Sequence, residues 1–193
     1  MTKMPPKVVR RGIPTLFHNV LFRSRLEARI AAMFDALKWP WIYEPVDLAG
    51  YIPDFVLQFP HAPIAVEVKP ETEYEPLKAY AERVTDAGWE RELLVVGAAV
   101  FPNDVIGVLG DESDVSEGGS LILGPGVVFR CINCGTVSLM HGDMSYRCRA
   151  SGCYAGAAHV AQLEHGELAA LWAAAGNRVQ WRGPMSDQPG VSR

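Results

Sequence analysis

The amino-acid sequence predicts an α/β fold, a small mixed sheet flanked by helices, followed by a cysteine-rich module. Three observations carry this. A helix-periodic run is followed by three short strand-like runs, then a second helical run and a continuous apolar strand. Four cysteines fall in two close pairs late in the chain, with a hairpin-sized insert between them. An acidic, glycine-containing stretch, residues 111–120, lies between the two patterns and reads as an exposed loop and a boundary.

The elements follow in order. Residues 1–20 carry Pro5, Pro6, Gly12 and Pro14 and read as an extended basic arm. The core is expected over 21–110. Ser24 reads as a helix N-cap with Glu27 at capping-box spacing, and Leu26, Ile30, Met33, Phe34 and Leu37 follow at helical intervals. Trp39-Pro40 ends that run. Trp41–Tyr43, Ile52–Leu57 and Ile64–Lys69 read as strands, with Pro53 confined to a strand start or an edge. Residues 75–87 suit a helix stopped by Gly88, and Leu93–Val96 suit a strand buried on both faces. Leu121–Leu123 and Val127–Arg130 read as two strands leading into a cysteine module over 121–160. A helix over 163–175 falls in a segment, 161–182, expected to pack on the core, and 183–193 reads as a flexible tail. No internal repeat stands out.

The chain of 193 residues is 49% hydrophobic and 21% charged, enough to bury a core. No apolar run approaches the roughly 20 residues of a membrane-spanning helix. No secretory signal is visible, so a cytoplasmic, reducing setting is expected, in which cysteines bind metal more readily than they form disulfides. The net charge of −4 hides an asymmetry: residues 1–30 hold seven basic side chains and one acid. A basic arm on an acidic body fits a nucleic-acid partner, with Arg10, Arg11, Arg23 and Arg25 as candidate phosphate contacts. No phosphate-cradling loop and no Ser–His–Asp or Cys–His arrangement stands out.

The chemistry concentrates in Tyr51-Ile-Pro-Asp54 and Glu67-Val68-Lys69. Alternation along a strand puts Glu67 and Lys69 on one face and Val68 on the other. If the two strands are neighbours, Asp54 approaches Glu67, and two carboxylates and an ammonium meet at a sheet rim. Hard oxygen ligands of this kind suit Mg²⁺ or Mn²⁺. Such a metal polarises a scissile phosphate and lowers the pKa of bound water, with Lys69 orienting the water or stabilising developing charge. Glu27 on the preceding helix is a third candidate acid. Alternating charges on an exposed strand edge would look much the same.

On Glu27, Pro53-Asp54 and Glu67-Val68-Lys69, residues 22–97 resemble the PD-(D/E)xK nuclease superfamily. The resemblance implies an αβββαβ restriction-endonuclease-like core. It implies Asp54, Glu67 and the Val68 carbonyl on Mg²⁺ or Mn²⁺, Lys69 near the water, and Glu27 as the acid of helix one. Arg23-Ser-Arg-Leu-Glu27, Tyr43-Glu-Pro and Tyr51-Ile-Pro-Asp54 are most similar to phage and actinobacterial Holliday-junction-resolvase-like proteins and to the endonuclease subunit of heteromeric transposases. Lys78 is the best match to the polar residue that many members carry on the following helix. The expected activity is a metal-dependent endodeoxyribonuclease, acting on branched DNA as a homodimer in a bacterial or phage-infected cell. The alternatives are a transposition- or defence-type subunit working with partner proteins, and a non-catalytic DNA-binding module.

Cys131-Ile-Asn-Cys134-Gly and the wider pair Cys148 and Cys153 have the layout of a zinc ribbon holding structural Zn²⁺ with four thiolates. A redox pair and an iron–sulfur cluster are the alternatives, and His141 or His159 could replace a cysteine. Such a module would stabilise a segment too small for its own core and could present Arg130, Arg147 and Arg149 to phosphates.

Overall fold

A computed structural model describes residues 12–45, 52–60, 63–86, 91–111, 121–142, 147–153 and 159–180. The arm residues Arg10 and Arg11, the loop at 112–120 and the tail at 183–193 lie outside the described residues. None of the described helices is long and apolar enough to cross a membrane.

The chain opens with a hairpin, β1 (Thr15–Phe17) and β2 (Val20–Phe22). Over residues 12–20 this replaces the extended arm expected from the sequence, while residues 1–11 lie outside the described residues. His18 and Asn19 turn the chain at φ 49° and 63°, and Phe17 and Phe22 tuck under it into the core. Helix α1 (Arg25–Leu37) starts at Ser24, whose hydroxyl accepts the Glu27 N–H at 3.1 Å. It ends at Lys38, in the left-handed conformation, before Trp39-Pro40.

Strands β3 (Trp41–Tyr43), β4 (Phe55–Leu57) and β5 (Ile64–Val68) form an antiparallel meander. Helix α2 (Tyr74–Asp86) crosses over to β6 (Leu93–Phe101), which lies parallel to β5. The order α1–β3–β4–β5–α2–β6 is the αβββαβ order expected from the sequence.

The sheet then continues. β7 (Val105–Asp111) pairs antiparallel with β6, β8 (Ile122–Cys131) with β7, and β9 (Val137–His141) and β10 (Val160–Ala161) with β8. The result is one eight-stranded sheet. The two short strands expected at 121–123 and 127–130 are one strand running through Gly124-Pro125-Gly126. Pro125 lacks an N–H, but its carbonyl still accepts the Gly142 N–H at 2.8 Å. Because β8 belongs to this sheet, the cysteine segment extends the core rather than starting a separate sheet.

Helix α3 (Glu167–Arg178) packs on α1, beginning four residues later than expected. Alternation along the strands divides the interior. Ile64, Val66, Leu94 and Val96 join α1, α3 and the aromatic residues Phe34, Trp39 and Phe55 on one face. Ala65, Leu93, Val95 and Val108 join Leu77 and Ala81 of α2 on the other. The molecule is therefore layered helix, sheet, helix.

Candidate functional site

Three acids from three elements meet at one end of the sheet, outside the carboxyl end of β5, where α/β folds commonly bind ligands. Asp54 precedes β4, Glu67 lies near the end of β5, and Glu27 lies in the first turn of α1. The register Phe55↔Val66 brings Asp54 and Glu67 to the same end of two adjacent strands. All three acids are buried.

Each has defined partners. Asp54 Oδ2 accepts the Val68 N–H at 2.7 Å, and its Oδ1 accepts from Arg23 Nη2 at 2.5 Å. Glu67 Oε2 accepts from Lys69 Nζ at 2.6 Å, as expected for two residues sharing one strand face. Glu27 accepts from the Ser24 hydroxyl at 2.8 Å and from the Tyr43 hydroxyl at 2.6 Å. Arg23 also reaches Glu44 at 2.9 Å and Glu27 at 3.9 Å.

The cost of gathering these charges shows in Asp54. Burial pushes its carboxyl up to about 6, and the charges of Glu67 and Glu27 add to the effect. The Val68 N–H and Lys69 pull the other way. Arg23 also favours the anion, but its side chain is 59% exposed, so its pull is screened by water. Burial likewise raises the Tyr43 hydroxyl to about 12, and its bond to Glu27 adds to this.

The structure therefore brings Glu27, Asp54, Glu67, Val68 and Lys69 together, with Arg23 among them. Glu27, Asp54 and Glu67 do not present three side-chain oxygens within 4.8 Å of one another. Among the described residues, a set of three or more donor atoms lies within 4.8 Å only at Cys131, Cys134 and Cys153. The Asp54 and Glu67 carboxylates hold Arg23 and Lys69. Lys78 is half-buried on α2, and Arg25 is exposed at the start of α1 beside a small cleft of about 240 Å³. Tyr43 and Ser24, which hold Glu27, were not singled out as site residues. Tyr43 was legible as a strand aromatic and as the first residue of Tyr43-Glu-Pro, not as a partner of Glu27.

The cysteines form the second centre. All are free thiols, and Cys148 Sγ lies 3.9 Å from Cys134 Sγ, so it borders the three-sulfur set. Cys131 sits at the end of β8, and Cys134 follows after a tight turn closed by Gly135 at φ 72°. Two hydroxyls that sequence reading missed line the sulfurs. Ser151 Oγ stands 3.1, 3.2 and 3.1 Å from the sulfurs of Cys134, Cys148 and Cys153. Thr136 Oγ1 stands 2.9 Å from that of Cys134. Burial opposes ionisation of Cys134, yet hydrogen bonds from Ser151 and Thr136 bring its thiol down to about 6. Burial raises Cys131 to about 11. These sulfurs could hold a metal ion, and their soft donor set fits Zn²⁺.

Of the arginines expected to face phosphate, Arg130 binds Glu167, and Arg147 and Arg149 bind Glu92. Arg149 is fully buried and so offers nothing to a ligand. His141 and His159 are buried and fall outside the cluster's close donor set. Compared with known proteins, the chain matches no family model, no curated protein and no solved structure.

Proposed function

We propose that this protein is a divalent-metal-dependent endonuclease that hydrolyses DNA phosphodiesters, with structural Zn²⁺ on its cysteine cluster. The observation that carries the reading is the convergence of Asp54, Glu67 and Glu27 beside Lys69 at the carboxyl end of β5. Burying three acids together is costly. The cost is understandable where the acids must later receive a cation. Asp54, Glu67 and the Val68 carbonyl are the hard donors that would hold Mg²⁺ or Mn²⁺. When bound, the ion would polarise the phosphate and acidify a water. Lys69, held by Glu67, would orient that water. Tyr43 and Ser24 hold Glu27 facing the site, and Arg23 supplies a positive charge that can pass from Asp54 to a phosphate oxygen. Action on branched DNA as a homodimer, or within a recombination or transposition assembly, rests on the sequence resemblance.

A second reading, a DNA-binding module without catalysis, is favoured by the pairing of Asp54 with Arg23 and of Glu67 with Lys69. One assay separates the two. Supercoiled plasmid, linear duplex, single strand, flap and four-way junction are incubated with wild type or Glu67→Ala, with Mg²⁺, Mn²⁺ or chelator. Metal-dependent cutting lost in the variant supports the nuclease. Binding of these DNAs without cutting any of them overturns it in favour of the second reading.

A further inference from the structure

The two halves of the cysteine cluster are the same small structure built twice, 17 positions apart. In the first, the Gly135 N–H donates to the Cys131 carbonyl at 2.7 Å, and the Cys131 N–H donates to the Thr136 carbonyl at 2.9 Å. In the second, the Gly152 N–H donates to the Cys148 carbonyl at 2.6 Å, and the Cys148 N–H donates to the Cys153 carbonyl at 3.0 Å. The glycines take φ of 72° and 70°. Cys131, Cys134, Gly135 and Thr136 thus correspond to Cys148, Ser151, Gly152 and Cys153.

This correspondence exposes an exchange. The first turn carries a thiol at its fourth position and a hydroxyl at its sixth. The second carries a hydroxyl at its fourth and a thiol at its sixth. In both, the hydroxyl touches sulfur: Thr136 contacts Cys134, and Ser151 contacts three of the four sulfurs.

We propose that the cluster is a two-fold metal site in which the fourth and sixth positions of each turn both face the ion. Sulfur at either position supplies the ligand, and the hydroxyl at the other donates to the thiolates. The ligands are Cys131, Cys134, Cys148 and Cys153, and the ion is a thiophilic divalent cation of the Zn²⁺ class. Thr136 and Ser151 are positioning residues that spread the negative charge of four thiolates. The wide spacing of Cys148 and Cys153 then reflects the same turn with its sulfur moved from position four to position six. This inference rests on the reading of the cluster as a metal centre.

The test uses the full chain titrated with Co²⁺ and then Zn²⁺, reading charge-transfer absorption and stoichiometry. Wild type should bind one ion with the spectrum of a tetrahedral tetrathiolate. Cys153→Ser should lose about a quarter of the thiolate charge-transfer intensity, one ligand in four. Adding Ser151→Cys to Cys153→Ser should restore the wild-type spectrum, because the second turn then matches the first. The reciprocal pair, Cys134→Ser with Thr136→Cys, should also bind with four thiolates, so the test does not depend on one variant folding. Ser151→Ala should keep the spectrum and weaken Zn²⁺ binding about 10–100-fold. If both exchanged pairs remain at three thiolates, the two-fold site is overturned while the metal centre stands. If wild type binds neither ion, the metal centre itself falls, and this inference with it.

Discussion

The Arg149 guanidinium and the Glu92 carboxylate meet in two hydrogen bonds of 3.1 Å inside the protein, although they lie 57 positions apart. Arg149 also donates to Asp111 at 2.6 Å and to the Leu139 carbonyl at 3.1 Å. The arginine is the residue after a cluster cysteine; Glu92 immediately precedes β6, and Asp111 ends β7. The second cysteine turn is therefore fastened to the sheet by buried charge. Arg149→Ala would remove the buried cation that Glu92 and Asp111 share, leaving Glu92 its 3.1 Å bond to Arg147, and should lower the unfolding free energy by about 3–5 kcal/mol. Chemical denaturation of the variant and wild type checks this.

The same fastening would join metal loading of the cluster to the core. Removing the cluster ion with a strong thiophilic chelator should lower the melting temperature of the whole sheet rather than release the cysteine segment alone. Calorimetry should show one transition moving downward. An unchanged main transition with a separate small one would show that the two regions unfold independently.

Asp54 makes stability depend on pH in a direction opposite to a salt-bridged carboxylate. Its folded value of about 6 stands above the ordinary 3.8 of an unfolded aspartate. Between these values the folded state binds the extra proton, so the stabilising effect is present below about pH 4 and is lost as pH rises through 6. The loss is at most about 3 kcal/mol. The difference in unfolding free energy between wild type and Asp54→Asn should change by up to that amount between pH 4 and 7.5. A flat difference would place the Asp54 titration elsewhere.

Tyr43 holds Glu27 with a part-buried bond of 2.6 Å. Tyr43→Phe removes that donor while keeping the ring packed on Phe22 and Phe55. The expected cost is about 1–3 kcal/mol of stability. The variant should keep its fold by circular dichroism, which separates removal of the bond from removal of the ring.

The basic arm carries a prediction for DNA. Truncating residues 1–11 removes Lys3, Lys7, Arg10 and Arg11. Every phosphate that the truncated chain no longer neutralises should flatten the slope of log affinity against log salt by about 0.9. An unchanged slope in a filter-binding titration assigns the phosphate contacts to other residues, such as Arg25.

What could be read from the sequence was local. α1 announced itself through Ser24, Glu27 and a 3.6-residue apolar stripe, and β4 and β5 through short apolar runs fenced by prolines. Glu67 and Lys69 were legible as a pair because strand alternation alone puts them on one face. β7 was not legible: Val105–Asp111 is buried on both faces, interrupted by Gly107 and Gly110, and shows no alternation. Asp111 looked like the start of an exposed acidic loop, yet it is 2% exposed because Arg149 reaches it from 38 positions away. The repeat of the cysteine turns was masked because only a cysteine and a glycine keep their letters, while the likeness lies in backbone hydrogen bonds.

β8 carries a further consequence. Its first half is zipped to β7, while its last residue, Cys131, is one of the cluster sulfurs. A slip of one residue along β7 would move Cys131 by about 3.3 Å and turn it to the opposite face of the sheet. Four sulfurs then could not close on one ion. A bound ion would thus act as a proofreader of assembly, sealing only the chain whose strands have zipped in the right frame.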